Sequence, residues 1–223
     1  MALTPCRELS AAAWIVDADQ PWQRLVSFGP SGFPAYARLR FVPDPAYQGQ
    51  SENDIEISAD ARSETEQLRS LLNMLARRTT TPDQCFFCLW DGWGGLDGGQ
   101  GARSVKALMR TVRRGPQIQP AFPRSVLDGA KFVVPHRAYY LFEGPLTSFG
   151  DWGAADMWPG QPRTHMPDPA FIWPLDHAWC VAKDVDPHWA GIGADQAVID
   201  ELIDDSRLDV VRADPHEDQP HYQ

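Results

Sequence analysis

The residue types that could do chemistry gather around one turn. Trp90-Asp91-Gly92-Trp93 places a carboxylate between two indoles at the end of an apolar run. A carboxylate there could orient a polar ligand while the rings cover its apolar surface. The loop carrying Trp173 and Asp176 is expected to share the pocket, so Trp90, Asp91, Trp93, Trp173 and Asp176 are the candidate ligand-binding residues. The competing reading of Asp91 is a turn cap, because turn aspartates commonly bond their own backbone. Six glycines between Gly92 and Gly101 then lead into Arg103, Lys106 and Arg110. Strand, glycine turn and basic helix is the layout of an anion site, where amides at a helix start face a phosphate. Those three cations are the weaker, anion-binding candidates. The stretch matches neither GxxxxGK(S/T) nor GxGxxG, so a solvated basic face competes with that reading.

Other chemistry-bearing residues read as structural. Cys85-Phe-Phe-Cys88 has the spacing of half a zinc site or of a redox pair. In a strand, however, residues i and i+3 point to opposite faces and cannot chelate together. A redox pair would sit at a helix start, where amides depress the thiol pKa. Buried structural thiols are therefore expected, with no metal and no cofactor. Asp176-His177 and Asp186-Pro-His188 could each orient an imidazole for acid–base work, but adjacent side chains rarely face one another. Surface or capping histidines are expected. Gly29-Pro-Ser31-Gly32-Phe33 fails the GxSxG nucleophile elbow at its last position.

The elements that must position these residues are legible in part. Ser63-Glu-Thr-Glu66 has capping-box spacing, and Leu68, Leu71, Leu72 and Leu75 follow as one apolar stripe. This predicts a core-facing helix. Cys85 to Trp90 is apolar throughout and predicts a central strand buried on both faces. Tyr36–Val42 alternates, with Arg38 and Arg40 on the solvent side, and Ile55 and Ile57 flank a second short strand. Val105, Leu108, Met109 and Val112 predict a basic amphipathic helix after the glycines. Strands are expected at Phe132–Val134, Tyr139–Phe142, Ala178–Ala182 and Leu208–Val211, and a helix at Ala194–Ile203. Residues 14–35 and 144–176, rich in Trp, Gly and Pro, read as irregular.

With 223 residues and no repeat or clean linker, one α+β domain over 1–213 is expected. Its sheet is mainly antiparallel or mixed, packed by two or three helices and wrapped by long irregular loops. A frayed polar tail over 214–223 follows. The hydrophobic share of 43%, with nine Trp, excludes disorder. A net charge of -10 repels nucleic acid and anionic membrane, so neither is an expected partner. Nine acidic residues after Gly193 stand against Arg207 and Arg212, a net -7 that would suit a basic protein partner. No segment reaches the roughly 18 apolar residues of a membrane span. The apolar run Ala11–Val16 is shorter than a secretory core, and four cysteines suit a reduced, cytoplasmic protein.

Three segments carry a resemblance: Thr81-Pro-Asp-Gln-Cys-Phe-Phe-Cys-Leu-Trp-Asp-Gly-Trp-Gly94, Arg137-Ala-Tyr-Tyr-Leu-Phe-Glu-Gly-Pro-Leu146 and Phe171-Ile-Trp-Pro-Leu-Asp-His-Ala-Trp-Cys-Val-Ala182. In this order the chain resembles an uncharacterised family of bacterial proteins of actinobacterial type, with no assigned activity. The resemblance implies a bacterial, cytoplasmic protein and transfers no catalytic residue. In general character the chain is also similar to mixed α/β immunity proteins. Three functions follow as expectations. The first is a non-catalytic module that binds a protein or small polar ligand through Trp-rich loops. The second is a hydrolase or phosphoryl-handling enzyme built on Asp91 and the glycine loop. The third is an immunity-type inhibitor of a basic toxin.

Overall fold

A computed structural model describes residues 1–56, 61–98, 118–163 and 166–223. Among them nine strands form one sheet in which every pairing is antiparallel. The strands are β1 (Thr4–Pro5), β2 (Ala35–Arg40), β3 (Cys85–Trp90), β4 (Phe132–Val134), β5 (Arg137–Gly144), β6 (Phe171–Pro174), β7 (Trp179–Ala182), β8 (Trp189–Ala194) and β9 (Val210–Arg212). Their order is β1-β5-β3-β6-β7-β8-β2-β9, and β4 lies end to end with β1 along the outer side of β5. Five α-helical segments accompany the described sheet: α1 (Ala13–Val16), α2 (Trp22–Phe28), α3 (Glu64–Leu75), α4 (Arg124–Leu127) and α5 (Gln196–Asp204). The architecture is α+β. No helix among the described residues is long and apolar enough to cross a membrane.

The sheet is covered on both faces, which is why its central strands read as unbroken apolar runs. Cys85, Phe87 and Leu89 face the side covered by α3 and α5, together with Phe142, Ile172 and Ile192. Phe86 and Cys88 face the side covered by α1 and α2, with Tyr139, Trp173 and Cys180. The predicted leucine stripe is the buried side of α3, and each fully buried leucine contributes about 2 kcal/mol. Ser63 caps the helix, and Glu66 returns the bond to the Ser63 amide at 2.8 Å. At the other end, Trp179 Nε1 donates to the Leu75 carbonyl at 3.0 Å, tying the helix terminus to β7.

Several expectations fail for identifiable reasons. The opening segment, expected to be irregular, contains α1 and α2, each too short for its periodicity to stand out. Strand β8, which contains Gly191 and Gly193, is absent from the expected strands. Their role is packing: a Cβ at Gly191 would collide with the Ser27 carbonyl oxygen and one at Gly193 with the Phe33 ring. Glycine lets α2 and its following turn lie directly on the sheet. Strand β6 lies inside the stretch expected to be irregular, ending at Pro174 where its missing amide matters least. Ile55 follows a 3-10 turn capped by Ser51 instead of opening a strand, and Ile57 lies outside the described residues. The basic helix expected between 103 and 114 also lies outside them. Residues 214–223, expected to fray, run back along the loop after β2. There Tyr222 donates to the Pro43 carbonyl at 2.5 Å, and the Gln223 amide donates to Gln50 at 3.0 Å.

Candidate functional site

Antiparallel pairing decides which loops meet. Trp90 pairs with Tyr139 and Cys88 with Phe171, so the chain leaves β3 beside the starts of β5 and β6. Phe171 pairs with Ala182, and Arg40 pairs with Trp189. The exits of β3, β7 and β2 therefore share one end of the sheet with the start of β8. The turn after β6, with Asp176, is at the other end.

At the Trp90 end an aromatic ledge is built on one arginine. The Arg137 guanidinium lies between two indoles, 4.9 Å from the Trp90 ring centre and 5.8 Å from that of Trp22. Asp184, from the loop between β7 and β8, holds the guanidinium in place at 3.3 Å. Both charged side chains are mostly buried, so this pair is held more firmly than a solvated one. Trp93 stands edge-on to Trp90, with ring centres 6.3 Å apart, and is 43% exposed. A Cβ at Gly92 would run into the Trp90 ring, so glycine lets that indole fold across the turn. His136, in the β4–β5 turn, packs edge-on to Trp22 with ring centres 5.1 Å apart. Its backbone takes a left-handed φ of 66°, a conformation that costs a non-glycine residue energy and needs its surroundings to hold it.

Among the described residues the Asp91 carboxylate meets a cation and no backbone amide. It accepts from Lys131 Nζ at 2.9 Å, and the Asp91 amide donates to the Ala138 carbonyl. The same ammonium lies 4.7 Å from the Tyr140 ring centre. Burial works against the Lys131 charge, but the bonds to Asp91 and Tyr140 outweigh it and raise the pKa.

Trp173 and Asp176 do not join this ledge. Trp173 pairs with Phe86, four positions before Trp90, a separation of about 13 Å along the strand. It is fully buried, stacked on Phe86 with ring centres 5.4 Å apart. Asp176 spends its carboxylate on Thr79 and Thr80 hydroxyls and on the Thr80 and Ala178 amides, latching the β6–β7 turn to the loop after α3. Burial alone would raise this carboxyl; the hydrogen bonds, led by the Thr80 amide, hold it at about 2. Arg103, Lys106 and Arg110 lie outside the described residues.

The thiols are positioned as strand geometry requires. Cys85 and Cys88 are on opposite faces of the sheet. Burial pushes Cys85 up to about 12, and it raises Cys88 and Cys180 as well. In the acidic C-terminal region Asp200 pairs with Arg212, Glu201 with Arg78, Asp205 with Arg207, and Asp209 with Arg40. Arg207 and Arg212 are already counted in the net -7, so among these pairs only Arg78 and Arg40, from outside the region, balance it further.

Sequence reasoning missed a second cluster at the same sheet end. Arg38, expected on the solvent side of β2, is 5% exposed. Both its terminal nitrogens reach Asp44, at 2.7 and 3.1 Å, and Arg40 adds a third bond at 3.0 Å. His188, expected as a surface or capping histidine, is buried with Nε2 3.1 Å from Asp44 Oδ1. Burial would raise the Asp44 carboxyl, but the bonds from Arg38, His188 and Arg40 hold it at about 2. The available signal was two arginines on one side of a strand, followed by an aspartate four residues later. Nothing local linked His188 to them. Comparisons with family models, curated proteins and solved structures return no match.

Proposed function

We propose that this protein is a non-catalytic binding module that engages a protein or small polar ligand through the Trp-bearing loops at the β3 exit. The exposed face of Trp93 carries the reading. A large indole 43% exposed, edge-on to a second indole that is itself backed by a mostly buried arginine, is a rigid contact surface. Aromatic surface held in place binds at low entropic cost. The enzymatic alternative is weakened at Asp91, whose carboxylate is already bound by Lys131. The inhibitor alternative is weakened by Arg78 and Arg40, which come from outside the acidic region and pair with Glu201 and Asp209.

The test is a thermal-shift screen of sugars, nucleotides and short basic peptides on the wild-type protein and on Trp93→Ala. A ligand that binds only the native state raises its melting temperature. The reading requires at least one ligand whose shift vanishes in Trp93→Ala while the unliganded variant melts close to wild type. Ligands that shift both proteins equally would refute it.

A further inference from the structure

The outer side of β5 is covered by two short strands that do not meet. β1 pairs with β5 as far as Pro5 opposite Phe142, and β4 begins at Phe132 opposite Tyr139. In an antiparallel strand the amide and carbonyl of one residue point to the same side. The Leu141 carbonyl accepts from the Cys6 amide at 2.8 Å, so the Leu141 amide also faces outward, into the interval between β1 and β4. No backbone carbonyl or side-chain acceptor among the described residues meets it, although Leu141 is only 2% exposed. The great majority of buried backbone amides have a partner, because leaving one unmet is costly.

A cavity of about 570 Å³ lies at that interval, with Cys6 and Arg7 after β1 on one side and Gly129 and Ala130 before β4 on the other. Its chemistry is one-sided. Leu141 offers the amide, Ser125 a hydroxyl, and Arg7 a guanidinium that has no ion pair among the described residues. The described lining contains neither Asp nor Glu. The nearest carboxylates, Glu8 and Glu143, line an adjoining hollow beside α1, and Arg7 borders both. Burial, with a smaller push from Glu143, holds the Cys6 thiol up at about 12, so it stays neutral. Val126 and the Tyr140 ring supply apolar wall, and the Tyr140 hydroxyl is already spent on the Leu127 carbonyl. Unmet donors, an uncommitted guanidinium and a short apolar wall select a ligand with anionic oxygens and a small apolar part.

We propose that this cavity is a binding site for a small carboxylate. One carboxylate oxygen would accept from the Leu141 amide and the other from Arg7, while the attached chain lies against Val126 and Tyr140. Bound there, it completes the hydrogen bonding of β5 where the two edge strands leave it open. None of the lining residues belongs to the Trp93 ledge, so the site stands or falls independently of it.

The probe is sodium butyrate, titrated into isotopically labelled protein against sodium chloride at matched ionic strength, with the Leu141 amide as the NMR reporter. Donating a hydrogen bond moves an amide proton downfield, so a saturable downfield shift of Leu141 is expected. Butyramide, which keeps the carbonyl and lacks the charge, should bind roughly tenfold more weakly, as should butyrate to Arg7→Gln. Arg7 is exposed, so this substitution leaves the fold intact. Trp93→Ala should bind butyrate as wild type does. The absence of a saturable shift at Leu141, equal binding of butyramide, or unchanged affinity in Arg7→Gln would each overturn the proposal.

Discussion

The Arg137 guanidinium lies 4.9 Å from the centre of the Trp90 ring while Asp184, 47 residues later, holds it from the side. This one side chain joins β5, β3, α2 and the β7–β8 loop. Arg137→Ala leaves Asp184 partly buried without its partner and removes the support of both indoles. A loss of about 2 kcal/mol in urea unfolding is expected, with increased acrylamide quenching of the native fluorescence as Trp90 and Trp22 loosen. Arg137→Lys should recover part of the stability and little of the indole order, because an ammonium does not stack as a guanidinium does.

Acid stability should depend on Asp44. Its carboxyl is held at about 2 when folded, against an ordinary value of 3.8. The contribution is present in full above about pH 4 and is lost as pH falls towards 2, because the unfolded chain takes up the proton first. Asp176 shifts in the same direction, so it adds to the same window. Asp44→Asn should flatten the acid limb of the stability curve between those values. At neutral pH the variant should lose roughly 3 kcal/mol, since Arg38 is left buried without its carboxylate.

Asp176→Ala tests the separation of the two sheet ends. Losing a latch of four hydrogen bonds at an exposed turn should cost roughly 1–2 kcal/mol. Any ligand found to depend on Trp93 should bind this variant with unchanged affinity once it is folded. Weakened binding at full occupancy of the native state would place Asp176 in the site after all.

Gly191→Ala should destabilise by about 3 kcal/mol or fail to fold, because the added methyl meets a backbone oxygen that cannot rotate away. Gly94→Ala is the control, with open space around its Cβ position. Chemical denaturation of the pair reads the difference directly.

The thiols should be slow. Cys88 and Cys180 are fully buried, and burial raises Cys6 and Cys85 to about 12, so little thiolate forms at neutral pH. A disulfide reagent should react with the native protein at the rate of its opening and release four equivalents once the chain is unfolded. A fast equivalent in the native state would contradict this placement.

The Ser63 helix, the buried β3 strand and the α+β class were legible because each rests on local chemistry. A capping box, a leucine stripe and an apolar run carry their own geometry in neighbouring residues. The Trp90–Trp93 turn was legible for the same reason, since four consecutive residues hold its two indoles and its carboxylate. Strand β8 was not, because the purpose of Gly191 is a contact with Ser27, far away in the chain. Arg38 misled because alternation reports which side of a strand a residue faces, not whether a distant Asp44 and His188 cover that side. Which candidates share a site was equally non-local: β3 and β6 run antiparallel, so Trp173 and Asp176 are carried to the end opposite Trp90. The sequence by itself determined the elements whose signals lie within about a dozen residues. Strand order, direction and the partners of buried charge were decided only in the folded sheet, where residues more than a hundred positions apart come within hydrogen-bonding distance.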